Sequence, residues 1–474
     1  MPRPRRRTGA TLVATAMLGV LALGAGPVLA QHQPGTTTYE IHVTPGPTGS
    51  VDVRVRFAPP LATAGMVLYF SHPQAEAGDG RMPVIVEART ADGNPLSVEA
   101  TGGNRFRVSP GGSNGVTVDY RLPRPPSLWD PSTWPGAGLH SVHSGDLVYL
   151  SGKDAFVLAD GLENRPAAVI FRLPDGWRAV RVDGDVVAPD QTVPVEDVQA
   201  SAFLLGPFHV ARYPVPGGEL TLLLPPKPPY EPGQLAWSLQ ALLDQISRHG
   251  LGAQPPRLTF ALARYPGALQ LNPFIASKIA GKATIVHWIG TGSLTWWRKH
   301  AARDIVALLL HRQFRFAPDA SWFSAGLQAY AGLLLLFETG FLTVDDMYQS
   351  LRAIYSTGLH YSGPAWPSLV LAGMEVPPGH ASQRVLEFRA PLVMWLLDIA
   401  IRAASKGQAS VLDLWARLAQ TNAPASTLHT AAVLAPLAEW ADLAGFAQDF
   451  IYSSRLPPAD FDQLFQQWID WNSR

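Results

Sequence analysis

Trp296-Trp297-Arg298-Lys299-His300-Ala301-Ala302-Arg303-Asp304-Ile305-Val306-Ala307-Leu308-Leu309-Leu310 and, after a short break, Ser321-Trp322-Phe323-Ser324-Ala325-Gly326-Leu327-Gln328-Ala329-Tyr330 decide how this chain reads. Both stretches carry apolar residues at helical spacing, which predicts helices over 297–314 and 322–338. His300 and Asp304 are four residues apart, about 400° around a helix, so they share one face.

The same period continues on either side of this pair. Leu235 to His249, Val344 to Thr357, Arg389 to Ala404 and Ser410 to Leu418 read as amphipathic or buried helices. Arg257 to Ala263 and Ala283 to Ile289 read as strands, giving a mainly helical second half with a small sheet near its start. Ahead of it lies Pro225-Pro226-Lys227-Pro228-Pro229-Tyr230-Glu231-Pro232, a stiff extended connector in which neither a ladder nor a helix interior can run. From about Thr36 to Leu224 the period is two. Thr38 to Val43, Val51 to Phe57, Met66 to Phe70, Val84 to Ala88, Val116 to Tyr120, Ala167 to Leu173 and Leu220 to Leu224 alternate and are separated by Gly- and Pro-rich turns. Antiparallel strands packed as a sandwich are the expected outcome. The domain plan is a leader at 1–30, a β domain at 31–226, a linker at 227–232 and a helical domain at 233–474.

The leader reading rests on four arginines within Met1–Arg7, an apolar run from Thr11 to Leu23, and the small-residue pattern Val28-x-Ala30, which places cleavage before Gln31. An exported protein, secreted or periplasmic, is expected, with no membrane-spanning helix after cleavage. The run at 331–337 is the nearest approach to a span, and Glu338 halts it. Cleavage leaves 33 basic against 37 acidic residues, and the whole chain balances 37 against 37. Neither figure supplies the positive field that nucleic-acid binding uses. With 47% hydrophobic and 16% charged residues over 474 positions, the chain reads as large globular cores. It contains no cysteine, so disulfides, thiolate metal sites and cysteine nucleophiles are excluded.

The helix pair resembles the zinc-binding segment of the gluzincin (thermolysin-like) metallopeptidases. There H-E-x-x-H presents two imidazoles and a general base from one helix, and W-x-x-E-G-x-x-x-Y supplies a third ligand from the next. More narrowly, the chain is similar to the glycyl aminopeptidase family. Phe388 to Arg402 resembles that family's YxKGAL…LLDLxIR segment, and Gly407 to Leu414 its GKxSLDD. Leu173 to Trp177 and Leu205 to Phe208 resemble landmarks of its amino-terminal domain, and 450–457 resembles its final helical stretch. The resemblance implies an amino-terminal β domain followed by a thermolysin-like helical domain.

It also implies where the chemistry would sit, and those positions have changed. His300 stands at the first zinc ligand, but Ala301 stands at the base, Asp304 at the second histidine and Ala325 at the glutamate ligand. The oxyanion tyrosine falls on Glu387 or Phe388. Catalytic zinc takes three protein ligands and a water; His300 and Asp304 provide two, and a methyl group removes no proton. A register with His311 as second histidine puts Ala307 and Leu308 at the other positions and loses more.

No catalytic residue and no metal is therefore expected. Zinc, held by His300 and Asp304, enters only with an unconventional hydrolase. Trp322 and Tyr330 are candidates for ligand contact. His140, His143 and Asp146 read as a loop cluster, Asp398 and Arg402 as an i,i+4 ion pair, and Trp288, Trp296, Trp297 and Trp322 as core. Lys282, Arg298, Lys299 and Arg303 read as a solvated helix face. Three functional readings stand: a silent pseudopeptidase binding a peptide or envelope protein, a working metal-dependent hydrolase with a non-standard site, and a structural envelope protein.

Overall fold

A computed structural model gives the architecture. It describes residues 36–472 apart from 46–49, 59–65, 71–83, 103–104, 110–114, 123–141, 145–146, 163–166, 182–185, 188–191, 196–200, 252–256, 265–274, 281–282, 376–379, 424–425, 441–442 and 459. The leader expected at 1–30, together with His140, Asp146 and Lys282, lies outside the described residues, as does the side chain of His143.

Alternation places one face of each early strand inside. Along Val51–Phe57 the valines and Phe57 are buried, while Asp52, Arg54 and Arg56 face outward. A seven-stranded sheet runs in the order Thr192–Val195, Ala167–Arg172, Thr37–Val43, Val51–Phe57, Val116–Arg121, Val84–Thr90, Pro95–Leu96. A five-stranded and a four-stranded sheet close over it, so the sandwich-like packing is made of three sheets. Buried tyrosines satisfy their hydroxyls on main-chain carbonyls: Tyr39 donates to Val157 at 2.8 Å and Tyr120 to Ala155 at 2.6 Å.

The second half is built on a separate five-stranded sheet in the order His209–Val215, Gly218–Leu224, Arg257–Arg264, Thr284–Ile289, Ile275–Ala280. Its inner strands are parallel, and both edge strands are antiparallel to their neighbours. The strand at 220–224, which the sequence groups with the first half, thus hydrogen-bonds into the second. A period of two reports that a segment is a strand but not which sheet it joins. The Pro-rich 225–232 segment consequently connects a strand to the helix Pro232–Arg248, with Pro232 in the first turn where a missing amide hydrogen costs nothing.

One face of this sheet, including Leu222, Phe260, Leu262 and Ile285, packs on the helices. The opposite face, including Ala261, Val286 and Trp288, packs on Leu147, Tyr149, Val180 and Leu204 of the first half. The two halves therefore share a dry contact centred on Trp288.

Several helices begin on side-chain caps. Ser293 accepts from the Trp296 amide at the start of Leu294–Gln313, and Thr343 with Asp346 and Ser410 with Asp413 form capping boxes. Leu294–Gln313 and Ser321–Glu338 pack side by side at the centre. The stretch Pro318–Glu338 is long and apolar enough to cross a membrane, and 72% of its apolar window is buried inside the protein.

Candidate functional site

His300 and Asp304 project from the Leu294–Gln313 helix toward the sheet's edge hairpin, where Ile275–Ala280 pairs with Thr284–Ile289. In that hairpin Ser277 lies directly across from His287, so their side chains leave the same face. Both reach Asp304. His287 Nε2 lies 2.8 Å from Asp304 Oδ2, and the Ser277 hydroxyl also bonds to the carboxylate. Since an ionised carboxylate only accepts, the imidazole and the hydroxyl both donate.

Burial pushes the Asp304 carboxyl upward, but the His287 hydrogen bond and charge, Arg303 and the Ser277 hydroxyl outweigh it and hold it below the usual aspartate value. His287 is fully buried, its ring edge-on to Phe260 at 4.7 Å, and its Nδ1 has no hydrogen-bond partner.

His300 is partly buried, with its ring edge-on to Trp296 at 4.7 Å. Burial pushes its pKa down to about 4; His287, Arg303 and Lys299 act in the same direction and Asp304 opposes them. The imidazole is therefore neutral over the physiological range.

At the position of the expected base, Ala301 is 1% exposed and belongs to the helical core. Ala325 is partly exposed and packs against that core. The donors on the motif positions thus number two, and one of them is already bound by protein groups. A three-ligand zinc site with a water does not fit this donor set. Among the described residues no group of three or more His, Asp or Glu side chains is arranged to hold a metal ion.

The other expected residues take structural places. Trp322 and Tyr330, read from sequence as candidates for ligand contact, are both 0% exposed. Trp322 Nε1 donates to Thr430 Oγ1 at 3.1 Å, and the Tyr330 hydroxyl donates to Asp398 Oδ2 at 2.6 Å, so neither presents a surface to a ligand. Asp398 and Arg402 form the expected ion pair at 2.9 Å. Trp288 and Trp297 are core residues, whereas Trp296 stays partly exposed beside His300.

The basic stretch is not simply solvated. Arg298 donates to Ser238 Oγ at 2.8 Å and lies over the Phe341 ring, and Lys299 donates to Ser350 Oγ at 2.8 Å. His311 bonds back to the Ala307 carbonyl at 2.7 Å and its ring meets Phe316 edge-on. Phe388 stacks on Tyr361 at 5.2 Å. Next to it, the buried Arg389 guanidinium donates to the carbonyls of Phe450 and Ser453, and burial lowers its pKa to about 10.

Comparison with known proteins accords with this layout. Residues 81–182 match the Peptidase M61 N-terminal domain. An aminopeptidase N family protein from Idiomarina loihiensis superposes with a TM-score of 0.66 at 12% identity, over 91% of this chain and 78% of that one. The chain shares the fold of that aminopeptidase N family protein.

Two further structures from Deinococcus radiodurans align over similar spans of this chain. The M1 zinc metallopeptidase gives 16% identity and a TM-score of 0.48 over 90% of this chain and 96% of that one. A mutant of that enzyme bound to a Tyr-Ser-Ala substrate gives 17% identity and 0.49 over 89% and 94%. No curated protein matches the chain in sequence. The residue that sequence reasoning missed is His287: it lies in the apolar run Thr284–Ile289, seventeen residues before Asp304, where no helical or motif spacing marks it.

Proposed function

We propose that the chain is an exported, catalytically silent gluzincin relative that uses the retained fold to bind a peptide or an envelope protein. One observation carries this reading: at the position of the second histidine, the Asp304 carboxylate is bound by His287 and Ser277, while the base position holds the buried methyl of Ala301. A metal-bound water would have no adjacent proton acceptor at position 301, and losing a general base alone costs roughly 10²–10⁴ in rate. Export is supported by the arginine-rich, apolar, small-residue leader at 1–30. The partial exposure of Ala325 favours a binding surface over a wholly filled interior.

Metal analysis and peptidase assays on the purified mature chain test the proposal. The expected result is substoichiometric zinc and no chelator-sensitive release of amino-terminal residues from peptides. Stoichiometric zinc with chelator-sensitive turnover reverses it. Export is checked separately by cell fractionation and by sequencing the amino terminus of the mature protein, expected at Gln31.

A further inference from the structure

We infer that His287, with Ser277, performs from within the protein the structural task that a bound metal would perform here, clamping the motif helix to the edge hairpin of the sheet through Asp304. This rests on the silent-relative reading, and three observations carry it.

The first is connectivity. A metal at such a site ties together elements that share no main-chain ladder, and binding free energy then becomes folding free energy. Here the Leu294–Gln313 helix and the two hairpin strands are tied by hydrogen bonds that converge on one carboxylate. His287 comes from one strand, Ser277 from the residue directly opposite on the next, and Asp304 from the helix.

The second is saturation. Asp304 is buried, with the His287 nitrogen 2.8 Å from one oxygen and the Ser277 hydroxyl also bonded to the carboxylate. A cation entering between Asp304 and His287 would have to break a charge-assisted hydrogen bond in a dry site, where such bonds are strongest.

The third is the direction of the free nitrogen. Because the carboxylate can only accept, His287 must carry a proton on Nε2. Among the described residues Nδ1 has no hydrogen-bond partner; the ring lies beside Phe260 and Trp297, whose indole nitrogen has none either. His300, on the same helix face as Asp304, makes no hydrogen bond among the described residues. The clamp is thus complete without it. His287 is a positioning residue: it fixes where the helix lies and takes no part in chemistry.

A double-mutant cycle followed by thermal denaturation, run with added zinc and with chelator, tests the clamp. His287→Phe and Asp304→Leu should each lower the Tm of the mature chain by roughly 5 °C, and the double variant should lie close to the singles rather than at their sum. Zinc and chelator should leave the wild-type Tm unchanged. Additive losses overturn the inference, as does a zinc-dependent rise in wild-type Tm that disappears in Asp304→Leu.

Should a variant fail to fold, imidazole nitrogen NMR on the wild-type chain carries the test. His287 should show a slowly exchanging proton on Nε2; a fast-exchanging Nε2 proton, or a proton on Nδ1 alone, overturns the clamp. Peptidase activity is read apart from both measurements, so a chain that proves active sinks the functional proposal by a different result from the one that sinks the clamp.

Discussion

Gly332 lies flat against the main chain of Arg303: a β-carbon on Gly332 would stand 2.9 Å from the Arg303 amide nitrogen. The two central helices meet at this point, and the obstacle is backbone, which cannot rotate aside. Gly332→Ala should therefore force the helices apart and lower stability by about 2 kcal/mol or more, although alanine is the better helix former. Chemical denaturation measures it, and a neutral or stabilising result would mean that the helix contact is looser than described.

Tyr330 and Asp398 anchor the interior of the helical half. Asp398 Oδ2 accepts from Tyr330 at 2.6 Å, Arg402 Nε at 2.9 Å and Trp468 Nε1 at 3.2 Å, and Oδ1 accepts from the Val411 amide at 2.9 Å. Removing the phenol leaves the indole bonded to the carboxylate, so Tyr330→Phe should cost only about 1 kcal/mol. Asp398→Ala strands the buried Arg402 guanidinium and should cost roughly 3–5 kcal/mol. Urea unfolding of the two variants separates them, and equal losses would contradict the assigned hierarchy.

These two sites mark what the sequence discloses. Helical period alone revealed the longer helices to within a few positions, because the apolar spacing lies within each segment itself. The i,i+4 relation of Asp398 and Arg402 was legible for the same reason. Trp322 carried both a core and a ligand-contact reading, and the core reading holds; burial of Tyr330 was not legible, since its partner Trp468 lies more than a hundred positions away. The edge strand Ile275–Ala280 is short and weakly alternating, and with it Ser277 and its cross-strand partner His287 stayed hidden. Assignment of 209–224 to the second sheet depends on pairing with 257–264, a long-range choice that local periodicity does not encode.

His300 should make the protein acid-sensitive in a defined window. Its folded pKa, pushed down to about 4, lies below the ordinary histidine value of 6.5, so between those values the unfolded chain binds a proton that the folded chain refuses. Stability from this group is complete above 6.5 and is lost as pH falls toward 4. The slope should be about 1 kcal/mol per pH unit, a little under the unscreened figure because the ring is partly exposed. Asp304 acts lower: its depressed carboxyl contributes stability above 3.8 that disappears as pH falls through its folded value. His300→Gln should flatten the curve between pH 6.5 and 4 while leaving the steeper loss below it. An unchanged profile in that variant would assign the acid limb to other groups.

Ala301 and Ala325 stand at the two positions where the sequence resemblance leads one to expect carboxylates, yet they differ physically. Ala301 is 1% exposed inside the helical core, so Ala301→Glu would bury a carboxylate with no partner at hand and overfill the space. A loss of roughly 3 kcal/mol or more is expected, seen as a lowered denaturation midpoint or poor recovery of folded chain. Ala325 is partly exposed, and a glutamate there can turn its charge toward water, so Ala325→Glu should cost within about 1 kcal/mol. The contrast has a direct meaning for the fold: packing has closed the base position, whereas the third-ligand position still borders solvent. If Ala301→Glu proved as benign as Ala325→Glu, the base position would have to be open to solvent. Absence of the acid there would then reflect a substitution reversible at little structural cost.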